Sequence, residues 1–436
     1  MTPVHRPDTA VIVDGYSTGA FLPPAFAALG VEVVHVQSTP EPMLTMLQPD
    51  PAAYRERYVL SGGAGLAGTV AALSALSPVA VLAGQEPGVP LADRLGELLG
   101  LPGNGTALSA ARRDKYEMIE ALRAAGLRCA RQQKGSDPAE LAAWAVAEGG
   151  FPTVVKPLSS ASTDHVYVCR TAEEVAAAAR RVLDSTDIFG SRNTEALAQS
   201  FLAGTEYIVD TVGVGGAHYV CGVWEYEKTE LPSGRRIYDR DVLLDPGAAP
   251  VPELIAYVLE VLRALGIEHG PAHAEVMLTP EGPALVEIGA RLNGNMNPGF
   301  HDACLGTNQA HLTALAYTRP QEFLDRYAGR VYTKHREAVV HNTRTELDGE
   351  VAAVDQAAVD RIAALETVHL VGVKLAPGKR LRPTTDLLTS PLRIFMTGPD
   401  AESLRADHRT IQTLKDAVYR LVESPAAVPA AVPADA

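Results

Sequence analysis

The spacing of apolar positions along this chain changes period repeatedly, and each change marks an element. From residue 10, AVIVDGYSTGAFLPPAFAALGVEVVHV gives an apolar strand, a glycine-containing turn, a helical stretch and a second strand, the pattern of a βαβ unit. PVAVLAGQE, residues 78–86, reads as another buried strand, followed by helix LADRLGELLG and loop LPGNGTA. A helix is expected from about Ser109 to Ala125, capped by Ser109 and stopped by Gly126, with Lys115 in its second turn. LRCARQQ then reads as strand-like and DPAELAAWAVAEG as a helix. FPTVVKPLSSASTDHVYVCR reads as a strand ending in Lys156-Pro157, a loop of small polar residues from Ser159 to Asp164, and a paired return strand.

Residues 196–214 read as an apolar strand, a glycine turn and an alternating strand, with Glu206 just past the turn. The next segment reads as a strand through Trp224. A long polar loop carrying Lys228, Arg235 and Arg236 follows, of the length that often forms a lid. A helix from about Pro252 to Leu265 leads into PAHAEVMLTPEGPALVEI, two short strands around a turn at Thr279–Gly282. HDACLGTNQAHLTALAYT reads as one helix. Residues 330–423 mix strand-like pieces with the amphipathic helix AESLRADHRTIQTLKDAVYRLVES, and the Pro/Ala-rich tail from Ser424 is expected to be disordered. The order of elements predicts mixed α/β and α+β architecture without internal repeats.

A chain of 436 residues exceeds one ordinary domain, and 47% hydrophobic with 21% charged residues describes a globular protein with ample core. The net charge of −14 argues against nucleic acid or an anionic membrane as the main partner. It does not exclude ATP, whose sites are locally basic within acidic proteins. Four cysteines lie scattered without metal-ligand spacing, and Cys169 and Cys221 fall in strand-like runs, as buried reduced thiols do. The start MTPVHRPDTA has no apolar signal region and no run of eighteen apolar residues occurs, so a cytoplasmic location is expected.

The hairpin near residue 280 changes this picture most. Each of its apolar strands carries one carboxylate, Glu275 and Glu287, and across an antiparallel pair these can face the same side. Two such acids repel unless a cation lies between them, and hard oxygen ligands suit Mg²⁺. Arg291 follows, a residue type that stabilises charge on a transferring phosphoryl group or an oxyanion. The residues alone equally allow a surface hairpin with its acids in water. Lys156 and the small-residue loop after it could hold phosphates through point charge and backbone N–H groups, although an ordinary hairpin fits too. Glu86 ends a strand where open α/β sheets place ligands, or is a solvated loop carboxylate. Lys115 taken alone reads as a solvated charge. There is no Walker motif, and Asp14–Gly19 is not a GxGxxG dinucleotide fingerprint.

The order of these pieces resembles the ATP-grasp superfamily of carboxylate–amine ligases, nearest its L-amino-acid (dipeptide) ligase branch, over roughly residues 10–420. The parts that carry it are His273-Ala274-Glu275, Glu287-Ile288-Gly289-Ala290-Arg291 and the Lys-Pro hairpin with its loop. The resemblance implies an N-terminal Rossmann-like pre-ATP-grasp domain (1–108) and a two-lobed ATP-grasp core (109–195 and 196–328). A small C-terminal α+β domain (329–423) and the tail (424–436) would complete the chain. It implies that Lys115 and Lys156 contact the nucleotide, that Ser159, Ser160 and Ser162 belong to a loop closing over phosphates, and that Gln199, Phe201 and Leu202 form the adenine hinge. Glu206 would hold the ribose, Glu275 and Glu287 Mg²⁺ (or Mn²⁺), and Arg291 the acyl phosphate. His273 and Asn293-Gly294-Asn295 would line the amino-acid pocket, with Glu86 and Lys228 as further substrate contacts. The expected reaction joins an amino acid or related carboxylate to an amine through an acyl phosphate, releasing ADP and phosphate. Another ATP-grasp ligase or a carboxylase-type enzyme is the alternative. A homodimer is the assembly considered. Gln199 stands where many relatives have Glu, Ala161 and Asp164 where many have glycine, and Gly289 where many have a metal-binding Asn.

Overall fold

The computed structural model describes residues 8–39, 41–43, 46–60, 65–161, 164–230 and 236–422. Ser162, Arg235 and the tail from Ser424 lie outside the described residues. The chain forms two compact units, one from residues 1–227 and 240–338, the other from 228–239 and 339–436.

The first unit opens with the expected βαβ pattern. β1 (Thr9–Val13) is buried at all five positions, because it is flanked on both sides by the parallel strands β2 (Glu32–Gln37) and β4 (Ala80–Ala83). β3 (Glu56–Val59) completes a sheet of order β3-β2-β1-β4. Helices α1 (Leu22–Ala27), α2 (Gly65–Ser74) and α3 (Val89–Leu99) connect and flank it. Ile12, Phe26 and Leu82 share one core with Leu292, Met296, Ala314 and Tyr317 from much later in the chain. The turns after β1 and β4 touch through glycines. A Cβ on Gly84 would lie 2.6 Å from the Gly15 Cα, so only glycine allows this approach. That contact sets Glu86, two residues on, at the carboxyl end of the sheet.

The helix expected from Ser109 begins six residues later, as α4 (Lys115–Ala124). The Asp114 carboxylate caps it, accepting from the N–H groups of Tyr116 and Glu117. The Ser109 hydroxyl is occupied instead, donating to Asp93 at 2.7 Å. Lys115 is therefore the first helical residue rather than part of a second turn. Next come β5 (Gln132–Gly135), α5 (Pro138–Trp144), β6 (Thr153–Pro157), β7 (Tyr167–Cys169), α6 (Ala172–Leu183) and β8 (Ala196–Ser200). The strands form an antiparallel sheet of order β5-β8-β6-β7. The strand expected from Leu127 starts only at Gln132, and the helix expected to reach Gly149 closes in a π turn over Ala145–Gly149.

β9 (Thr205–Val214) and β10 (Ala217–Glu230) pair antiparallel, and β11 (Arg236–Leu243) follows. The long polar loop expected after Trp224 is thus mostly strand. Residues 225–229 and most of 237–243 are half-buried in these strands, and their charges had read as loop. α7 (Val251–Ala264) leads to β12 (Gly270–Thr279) and β13 (Gly282–Gly289), giving the order β13-β12-β9-β10. The single helix expected at 301–318 is two, α8 (Pro298–Leu305) and α9 (Gln309–Thr318), parted at Gly306 with φ +76°. α10 (Pro320–Tyr327) ends the helical run.

The second unit holds β14 (Glu337–Asn342), β15 (Gly349–Val354), α11 (Gln356–Ala363), β16 (Val368–Val373), β17 (Arg380–Leu381), β18 (Leu392–Gly398), α12 (Ala401–Leu414) and β19 (Tyr419–Leu421). β14, β18 and β16 are neighbours, and β17-β15-β19 form a second sheet. The expected final helix stops at Leu414, since Val418 and Tyr419 turn into the core beside Val351 and Leu392. Among the described residues no helix is long and apolar enough to cross a membrane.

Arg112 is fully buried in the first unit. It pairs with Asp93 at 3.0 Å and donates to the carbonyls of Leu265 and Gly105. Arg112→Met leaves the Asp93 carboxylate buried without its cation, so urea unfolding should show a loss of about 3–5 kcal/mol. Replacing Asp93 by Leu in the same chain should recover part of it. A wild-type midpoint in Arg112→Met would show the pair to be dispensable.

Candidate active site

β12 and β13 pair so that Glu275 stands directly opposite Glu287, and the register slips by one residue immediately after Glu275. Direct cross-strand partners share a face, so the two carboxylates meet as expected. They are only 16% and 18% exposed, which makes their mutual repulsion costly. Lys115 relieves it. Its position at the start of α4 brings Nζ to 2.7 Å from Glu287 and 2.6 Å from the Ser160 carbonyl. Its own N–H donates to the Leu158 carbonyl. One lysine thereby ties the acidic hairpin to the loop after β6. Burial works to raise the Glu287 carboxyl, but the Lys115 ammonium and the charges of Lys156 and Arg291 hold it well below the usual carboxylate range.

Lys156 ends β6, buried beside the same acids. Burial first, then the neighbouring Lys115 charge, push its ammonium down to about 8, against the pull of Glu287, Glu275 and Glu206. The loop beyond is fastened at its base. Arg113 donates to the Ser159 carbonyl at 3.1 Å and lies over the Phe189 ring, while the Ser160 hydroxyl donates to Asp164. Gln199 in β8 pairs with Val154 of β6, and its amide donates to Gln132. Phe201 and Leu202 follow β8 at the turn into β9, Phe201 exposed and Leu202 half-buried. Glu206 is the second residue of β9 and is buried.

On the other side of Glu275 lies a second buried network. His273 faces Asp210 across β12 and β9, with Nδ1 2.8 Å from Asp210 Oδ1 and Nε2 3.5 Å from Glu275. Burial disfavours the imidazolium, yet Asp210 outweighs it and raises the His273 pKa to about 9. Asn293 donates its amide to Asp210 and its backbone N–H to Gln309, and Asn295 donates to Asp241 at 2.6 Å. Gly294 sits between these two anchors. Tyr226 donates to Glu275 at 3.2 Å.

Arg291 leaves β13 beneath this network. One guanidinium nitrogen lies 3.5 Å from Glu86, another donates to the Leu292 carbonyl, and its buried Nε has no hydrogen-bond partner. Burial opposes its charge, but Glu86, Glu287 and Glu275 raise its pKa above the ordinary value. Gly289 makes room for it, because a Cβ there would stand 3.2 Å from Nε. Lys228 belongs to the second unit, its ammonium 4.5 Å from the Tyr238 ring centre.

Lys115, Lys156, Glu206, His273, Glu275, Glu287, Arg291, Glu86 and the Asn turn therefore all lie in the first unit. Sequence reasoning missed Asp210, Asp241, Gln309, Tyr226 and Arg113. An Asp inside the apolar alternation YIVDTVGV was the one available signal for Asp210, since a buried acid needs a partner.

The sheet β5-β8-β6-β7 and the acidic hairpin β12–β13 are joined through Lys115. Residues 149–298 match the family described as ATP-grasp domain. The chain is 34% identical over 427 residues to dapdiamide A synthase of Enterobacter agglomerans, covering 97% of this chain and 99% of the relative. It is 28% identical over 246 residues to D-alanine–D-alanine ligase of Desulforudis audaxviator, covering 53% of this chain and 74% of that one. Its fold is similar to the crystal structure of L-amino acid ligase from Bacillus licheniformis, with TM-score 0.74 and 19% identity over 97% of this chain and 100% of that chain. The chain belongs to the ATP-grasp ligases and is an ATP-dependent carboxylate–amine ligase.

The His273–Asp210 pair has a pH signature. A raised imidazole contributes stability that is fully present below its unfolded pKa near 6.5 and is lost as pH rises through about 9. Unfolding free energies of wild type and His273→Gln should therefore converge between these pH values, by roughly 3 kcal/mol. A pH-independent difference between the two proteins would show that His273 is neutral in the fold.

Proposed function

We propose that this ligase joins the carboxylate of one amino acid to the amine of a second amino acid or a related amine, making a dipeptide-type product, with Mg²⁺ as its metal. The observation that carries the site assignment is the convergence of Lys115, Lys156, His273 and Arg291 on the directly opposed Glu275 and Glu287. D-alanine–D-alanine ligase and L-amino acid ligase, both similar to this chain, support amino acids as the substrate class.

Glu275 and Glu287 offer only hard oxygen donors, in register and partly open, which fits Mg²⁺. Mn²⁺ would fit the same donors. The metal, when bound, supplies positive charge to the phosphate oxygens of ATP. For the acids to ligate it, Lys115 must give up Glu287, and its ammonium is then free for a phosphate. Lys156, with its lowered pKa, adds charge directed at the same oxygens. The serines of the following loop, Ser159, Ser160 and Ser162, would cover the phosphates. Phe201 and Leu202 offer backbone groups to the adenine beside Gln199, and Glu206 accepts from the ribose hydroxyls.

A carboxylate becomes an electrophile once it carries the transferred phosphoryl group. Arg291 would grip the acyl phosphate and then the oxyanion formed when the amine attacks. Glu86, now paired with Arg291, is placed to receive a substrate ammonium. His273 and the Asn293–Asn295 turn would shape the amino-acid pocket. The division into pre-ATP-grasp domain, two lobes and C-terminal domain, a cytoplasmic location and a homodimer belong to the same proposal.

Pairwise amino-acid mixtures with ATP and Mg²⁺ should release ADP and phosphate in step with a new amide, followed by mass spectrometry. AMP and pyrophosphate as products would reject the acyl-phosphate route, and turnover only with bicarbonate would point to a carboxylase instead. Glu287→Gln should lower turnover at least ~100-fold with the fold kept, as expected for a lost metal ligand. Wild-type turnover would remove Glu287 from the metal site.

Arg291→Lys keeps the charge but loses the planar fork, and Arg291→Ala loses both. If Arg291 acts in the transition state, kcat should fall ~100- to 1,000-fold while KM changes little. A lower melting temperature with kcat near wild type would instead show that Arg291 serves only to hold Glu86.

A further inference from the structure

We infer that the second unit carries its own divalent metal site, built from Asp239, His341 and His408 and separate from the nucleotide chemistry. These residues come from three elements, β11, β14 and α12, and each offers one ligand atom within 4.8 Å of the other two. His341 Nδ1 stands 3.2 Å from the Asp239 carboxylate, and the two imidazoles pack with ring centres 4.5 Å apart. His341 is 1% exposed, whereas Asp239 and His408 are partly exposed and leave the cluster open to an ion from solvent.

The donor set decides the ion. Two imidazoles and one carboxylate suit Zn²⁺ or a neighbouring transition metal such as Co²⁺ or Ni²⁺, and are wrong for Mg²⁺. The surroundings suit a ligating set. The Thr229 hydroxyl donates to the other Asp239 oxygen at 2.8 Å and orients the carboxylate. The Gln412 amide nitrogen lies 2.9 Å from His341 Nε2 and 3.2 Å from His408 Nε2. Amide orientation is set by the hydrogen-bond network around it, so half a turn presents Oε1 to both rings. That oxygen is the acceptor a ligating imidazole requires at its far nitrogen. A metal here would clamp Asp239 of β11 onto β14 and α12.

The test is zinc calorimetry on the full chain carrying Glu275→Gln and Glu287→Gln, so that the acidic hairpin does not compete. One zinc per chain should bind without nucleotide, and added Co²⁺ should show the visible absorption of a tetrahedral nitrogen–oxygen site. Adding His408→Ala or Asp239→Asn, both at partly exposed positions, should weaken zinc binding at least ~10-fold. Zinc should also raise the melting temperature of the chain with His408 and not of the chain without it. No saturable zinc binding, or the same isotherm with and without His408, would reduce the cluster to a hydrogen-bonded group and overturn the inference.

Discussion

Two carboxylates held face to face across a hairpin are the constraint to which the rest of the first unit answers. Glu275 and Glu287 are cross-strand partners, mostly withdrawn from water. Nothing in a β-ladder favours that arrangement, and like charges opposite one another destabilise a sheet. It persists because cations arrive from several elements: Lys115 from the start of α4, Lys156 from the end of β6, His273 from β12 itself and Arg291 from the bend after β13. The charges are mutually conditional. Removing an acid would leave Lys115 and Lys156 facing each other, and the lowered Lys156 pKa already registers that repulsion. The cluster therefore draws on elements far apart in the chain, α4, β6, β12 and the bend after β13.

If Glu275 and Glu287 hold a metal beside ATP, as proposed, the Lys115–Glu287 contact shows which internal charge balances the acids in its place. The ammonium occupies the charge position of a cation, and through the Ser160 carbonyl it holds the phosphate loop at the hairpin. A cation and an anionic nucleotide arriving together replace one internal pair by two external ones. Bound separately, each would leave an uncompensated buried charge, which is expensive. On that proposal the two bindings would be coupled through the Lys115 side chain.

Much of this was legible before the fold was known, and the failures are specific. The hairpin acids, Lys156 and Arg291 sit in apolar runs, where a charge has no reason to be unless it is used. The βαβ start was readable from hydrophobic period. α4 was misread because Ser109 is as good a cap by type as Asp114, and only the Asp93–Ser109 bond decides between them. The end of β10 after Trp224 and β11 were misread because their charged, half-buried residues look like a loop by type. The last helix was drawn too long because helix period continues into Tyr419, whose side chain buries as a strand residue. Asp210, Gln309 and Asp241 act through residues distant in sequence, and no local pattern announces them.

Arg291 is a buried guanidinium with a donor left unmet. A buried guanidinium ordinarily has its donors satisfied, because each unmet one costs about 1–3 kcal/mol. Here one nitrogen reaches the adjacent Leu292 carbonyl, another stands 3.5 Å from Glu86, longer than a good charge-assisted bond, and Nε has no partner. Gly289 keeps that nitrogen from being crowded by a side chain. The neighbouring acids keep Arg291 charged, yet none closes on it as a bidentate partner. A guanidinium held charged, buried and under-satisfied is worth more to an arriving oxyanion than one already saturated, since binding there breaks no strong bond. The same reasoning assigns Glu86 its weight. It stands 3.5 Å from Arg291 and, in the proposed role, would turn to a substrate ammonium when an anion takes the arginine.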